Sequence, residues 1–123
     1  MNAALKAQQA YAPSSAPVRS TRRIEYDVIA RITFRLKTAI EKGDYPQLVK
    51  AMNENRDLWR VLAIDVADPE NELPKDLRAR IFYLAEFTDI HTSKVIRKED
   101  NAVPLVEINT AILRGLRPAG AQA

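Results

Sequence analysis

Hydrophobic residues recur along this chain at intervals of three and four, not two. Ile29, Ile32, Leu36 and Ile40 repeat at helical spacing, and Leu48, Met52, Asn55, Trp59, Leu62 and Val66 continue the pattern with an amide set among the apolar positions. A third stripe holds Leu77, Ile81, Leu84, Thr88, His91 and Val95, and a fourth holds Leu105, Ile108, Ile112 and Leu116. Each stripe marks one face of an amphipathic helix. The breaks agree. Ser20 or Thr21 is placed to cap the first helix and Gly43 to end it. Asp44 suits the cap of the second, whose first turn tolerates Pro46. ADPENELP (67–74) separates the second helix from a third that Pro74 opens, and EDNAVP (99–104) separates the third from the fourth. Four helices with short connections predict an all-α fold, a compact antiparallel bundle over residues 21–117. Upstream, residues 1–20 read as a tail. In it Ala3, Ala7, Ala10 and Tyr11 share a face of a short, loosely attached helix, and APSSAPVRS (12–20) forms a Pro/Ser linker. Residues 118–123 read as a frayed end.

The third helix departs from this simple scheme. At 100° per residue, Tyr83 and Ile90 lie about 120–140° from the cluster of Leu77, Ile81, Leu84 and Val95. Phe82 falls on the opposite flank, and Phe87 lies between the main stripe and Tyr83. A helix that is apolar on several sides must be central or covered. Two covers are available: the first helix, folding over with Tyr26 and Phe34, or another protein. On the second reading Phe82, Tyr83, Phe87 and Ile90 form a partner-binding face.

Composition narrows the chemistry. The chain has 123 residues, 46% hydrophobic and 28% charged, which suits one domain with a single core. Cysteine is absent and the one histidine is His91, so neither a disulfide framework nor a Cys/His zinc site is expected. There is no glycine-rich phosphate loop and no HExxH, and the acids are scattered singly or lie in the 68–72 loop, so no catalytic residue, cofactor or metal is expected. Asn55, Asn109 and His91 stand in apolar stripes; a buried amide without partners costs about 1–3 kcal/mol, so they are expected to be hydrogen-bonded ties between helices. No stretch approaches the roughly 20 apolar residues that span a bilayer, so membrane insertion is not expected and a cytoplasmic location is. The net charge of +3 is uneven: residues 1–23 hold four basic side chains and no acid, whereas residues 24–123, with 15 basic and 16 acidic, carry −1. That distribution places the basicity in a tail and a helix entrance (RSTRR, 19–23) and argues against a nucleic-acid-binding face.

Three longer segments carry a resemblance. EYDVIARIT (25–33), ENRDLWRVLAIDVADPENELPKDLRARIFYLAEFTDIHTSKVI (54–96) and PLVEINTAILRGL (104–116) together resemble the FlaF family of bacterial flagellar biosynthesis proteins, in the family's order and spacing. The resemblance implies a small cytoplasmic helical protein that acts as a flagellin-specific secretion chaperone and supports flagellin synthesis and export, alongside a second regulator called FlbT. It implies no catalytic residue and no cofactor. The terminal helices of flagellin bury their apolar faces only in the filament, so a bundle with a spare apolar surface would shield them by the helix-in-groove mode. The alternatives are a post-transcriptional regulator that binds flagellin mRNA, and an adaptor that binds FlbT in place of flagellin. Oligomeric state, and the flagellin segment held, are not legible.

Overall fold

The first helix, α1 (Val18–Lys42), stops where the backbone turns left-handed at Gly43, with φ 63°. The Gly43 N–H donates to the Ile40 carbonyl and the Asp44 N–H to the Ala39 carbonyl, both at 3.1 Å. These two bonds form a Schellman closure, satisfying carbonyls that the helix end would otherwise leave free. Asp44 then caps α2 (Tyr45–Ala67), its carboxylate accepting from the Gln47 N–H at 3.1 Å, with Pro46 in the first turn. Further on come α3 (Lys75–Ile96), entered through Pro74, and α4 (Val103–Leu116), whose first N–H donates to the Asn101 side chain at 3.0 Å. The computed structural model describes the backbone of residues 18–116 and the side chains of residues 26–115; within them there are four helices and no strand.

The chain folds as the antiparallel bundle that the stripes predict. Leu58, Trp59, Met52, Ile29, Leu36, Ile81 and Leu105 are fully buried at its centre. Around the bundle α1 packs on α2 and α4, and α2 packs on α3. The α3–α4 seam is the sparsest of the four, and α1 and α3 do not approach closely. The α2–α3 connection is fixed by Arg78, which donates to the Val66 and Asp68 carbonyls at 3.0–3.2 Å and so caps the C-terminal end of α2. At the other end of the bundle α3 closes with a second Schellman pattern, in which Lys98 takes the left-handed position at φ 61°. The Lys98 ammonium lies 4.9 Å over the Tyr45 ring, and the Tyr45 hydroxyl donates to the Ile96 carbonyl at 3.0 Å. One aromatic side chain thus ties the start of α2 to the end of α3.

Two expectations need correction. The helix is already formed at Val18, so Ser20 and Thr21 lie within its span and not at its cap; hydroxyl residues are tolerated inside a helix as well as at its start. Nor does α1 cover the second face of α3. It sits diagonally across the bundle, and Phe34 is 69% exposed while Tyr26 packs against the core. The short helix expected within residues 1–20 and the frayed end at 118–123 lie outside the described residues.

Gly43 has no atom within 4 Å of where a Cβ would stand, so its requirement is one of backbone conformation alone. Gly43→Ala is expected to lower stability by about 1 kcal/mol, read as a lower midpoint in urea with an unchanged slope.

Candidate functional site: the outer face of α3

Four buried polar side chains meet at the bundle centre. The Trp59 indole N–H donates to Asn109 Oδ1 at 2.8 Å, and Asn109 Nδ2 donates to Asn55 Oδ1 at 2.8 Å and to Thr33 Oγ1 at 3.0 Å. The Thr33 hydroxyl in turn donates to the Ile29 carbonyl at 2.7 Å. Because an indole can only donate, the Asn109 amide oxygen must face Trp59, and both of its N–H groups are then used. This network joins α1, α2 and α4, including the α2–α4 diagonal. It leaves α3 out.

His91 ties α3 differently. It is buried, its Nε2 lies 2.8 Å from the Asn101 carbonyl in the α3–α4 connection, and its ring stacks on Phe87 at 5.5 Å. A carbonyl only accepts, so Nε2 carries the proton. On the inward side of α3 stand Ile81, Ala85, Thr88, His91, Thr92 and Val95, half of them polar. Among the described residues the Thr88 and Thr92 hydroxyls have no hydrogen-bond partner, and neither does Asn55 Nδ2. On the outward side, Phe82, Tyr83, Phe87 and Ile90 are 45, 65, 38 and 60% exposed. The helix therefore faces several polar groups into the core and four large apolar side chains into water.

These four exposed residues do not form one patch. By helical rotation Tyr83, Phe87 and Ile90 share the side toward α4, and Phe82 lies on the side toward α2. On that α2 side Arg56 and Arg60 reach Asp89 at 3.9 and 3.1 Å, an exposed ion pair of small energetic weight. Toward α4 the sparse seam opens into a groove of about 350 Å³, with Tyr83, Leu84 and Phe87 on one wall and Pro104, Ile108 and Ala111 on the other. Among the described residues Arg80 and Glu107 are its only charged lining residues. The α4 wall was not foreseen from the sequence. The spacing places Ile108 in an inward stripe, and it does pack against the core, but its half-buried position at a seam depends on how far α3 and α4 stand apart.

Elsewhere, the Arg97 guanidinium donates to both carboxylate oxygens of Glu99 at 2.9 and 3.2 Å and holds that carboxyl below its ordinary value. The pair is exposed at the end of α3 and away from the groove lining. Among the described residues no group of three or more His, Asp or Glu side chains is placed to hold a metal ion, and no helix is long and apolar enough to cross a membrane.

Fold and site together define a small helical bundle with a polar-tied interior and an uncovered apolar seam. The chain belongs to the FlaF family: the family model described as "Flagellar protein FlaF" matches residues 7–116. It is thus a flagellar protein. No curated protein and no solved structure matches the chain.

Asn109 is the member of the polar centre with most to lose. Replacing it with leucine leaves the Trp59 N–H and the Asn55 carbonyl oxygen buried without their partner, at about 1–3 kcal/mol for each orphaned group. Asn109→Leu is expected to destabilise the fold by about 2–6 kcal/mol. Ala111→Leu, a few residues further along the same helix but at the exposed groove wall, should change it by less than about 0.5 kcal/mol in chemical denaturation.

Proposed function

We propose that this flagellar protein binds monomeric flagellin in the cytoplasm as a secretion chaperone, holding an amphipathic segment of it against the outer face of α3 and the α3–α4 groove, and that it thereby supports flagellin synthesis and export. The observation that carries the reading is the distribution of side chains on α3, where polar groups share the inward side and large apolar ones stand in water. Its sequence gives Thr88, His91 and Thr92 to the core and Tyr83, Phe87 and Ile90 to the surface. A helix built only to complete the bundle would be expected to distribute them the other way. Exposing three large apolar side chains beside an apolar groove is the arrangement that a helix-in-groove partner uses. Family membership supplies the flagellar context, and a filament subunit with apolar terminal helices is the partner that most needs such a cover before assembly.

The test separates binding from folding. Tyr83→Asp and Ile90→Glu each change an exposed position, so helix content and denaturation midpoint should stay close to those of the parent protein. Co-purification with full-length flagellin should fall by at least about tenfold, as expected for an anchor residue at the centre of an interface. Loss of binding only in proportion to loss of fold, or unchanged binding in a folded variant, would rule this face out.

A further inference from the structure

The groove's charges define more of its occupant than apolar surface alone does. Among the described residues Arg80 and Glu107 are the only charged ones lining it, they carry opposite signs, and they stand on opposite walls. Neither forms an ion pair or side-chain hydrogen bond among the described residues, and both are exposed at the rim. Their offset follows from the register of the two helices. At one end of the seam the tip of Leu77 lies beside Gly115, its Cδ1 4.0 Å from where an added Cβ would stand. Towards the other end His91 reaches the Asn101 carbonyl at 2.8 Å. In this antiparallel pair Glu107 therefore stands roughly level with Ala85, about five residues from Arg80 or about 7.5 Å along the axis.

On a helix lying in the groove, two positions five residues apart are about 7.5 Å apart along the axis and about 140° apart around it. They fall on the two flanks of an apolar stripe of ordinary width. One helical segment can thus meet both rim charges at once while its stripe faces Tyr83, Leu84, Phe87 and Ile108. We infer that the flagellin segment seated here is an amphipathic helix carrying an acid on one flank, facing Arg80, and a base on the other flank about five residues away, facing Glu107. The inference rests on the flagellin-binding reading above and adds to it the charge pattern of the bound helix. Rim charges of this kind act on encounter rate, register and salt dependence more than on gross affinity.

The full-length chain is titrated with purified monomeric flagellin at low and at physiological salt, as the parent protein, as Arg80→Glu, as Glu107→Arg, and with both substitutions together. Each single reversal should weaken binding about fivefold at low salt and less at high salt. The double reversal should be at least as weak as either single one, because the partner's charges have not been exchanged; recovery in the double variant would show an internal Arg80–Glu107 pair and overturn the inference. Unchanged affinity and salt dependence in folded reversal variants, with Tyr83→Asp still abolishing binding, would overturn the charge pattern and leave the flagellin reading standing. Absence of binding by the parent protein would overturn both. Two further outcomes overturn the inference by assigning the groove to another occupant: a dimer of the free protein that the reversals dissociate, or tighter flagellin binding once residues 1–17 are removed together with loss of the dependence on Arg80 and Glu107.

Discussion

The structure depends most on a single amide. Asn109 accepts from Trp59 on α2 and donates to Asn55 on α2 and Thr33 on α1, all inside a core from which water is shut out. Apolar stripes alone would allow helices to slide or rotate past one another at small cost, since one aliphatic contact replaces another. A buried amide allows no such substitution: a slip of one residue on any of the three helices orphans at least one of these groups. The network thus fixes the register of α1, α2 and α4 as a unit. The indole N–H, which is donor-only, fixes which way the amide points.

The fourth helix is held on other terms. α3 lies against α2 through apolar packing and is fastened near its ends, by Arg78 on the α2 carbonyls at one and by Tyr45 and His91 at the other. Its middle contributes two hydroxyls without protein partners to the interior. Local preference and global fold disagree here, and such disagreement is characteristic of positions that serve something other than stability. The α3–α4 seam is fastened near one end by His91 on the Asn101 carbonyl, and beside Phe87 it is open as a groove.

Much of this was legible in the sequence because helical periodicity and capping chemistry are local. Gly43, Asp44 and Pro74 marked their boundaries, and the stripes through Trp59 and Ile81 marked the core. The second apolar face of α3 was visible too, since it follows from rotation about one axis. What covers it was not, because the choice between Phe34 and an outside partner turns on which helices are neighbours and which are diagonal. Asn55 and Asn109 could each be read as needing partners, but that they partner each other, with Trp59 and Thr33 on either side, is a fact of three-helix geometry. The groove wall from α4 was hidden for the same reason: Ile108 reads as inward until the spacing of α3 and α4 is known. The start of α1 was misplaced because Ser20 and Thr21 look like caps but are also tolerated inside a helix.

Magnitudes restrict what can sit on the open seam. Burying Tyr83, Phe87 and Ile90 contributes about 1.5–3 kcal/mol each, a gross gain of about 5–9 kcal/mol, against an association cost of about 4–15 kcal/mol. Three anchors are insufficient for a lasting complex. Leu84 and Ile108 add surface only if the occupant enters the groove along its length, and the face from Arg80 to Ile90 extends about 15 Å, or close to three helical turns. A free peptide of that length is barely helical in water and would lose much of the gain in becoming ordered. A long amphipathic helix that already belongs to a larger protein brings its order with it and can continue past both ends of the seam. The energetics therefore favour a helix that already belongs to a larger folded protein over a short linear motif or a small molecule as an occupant of the seam.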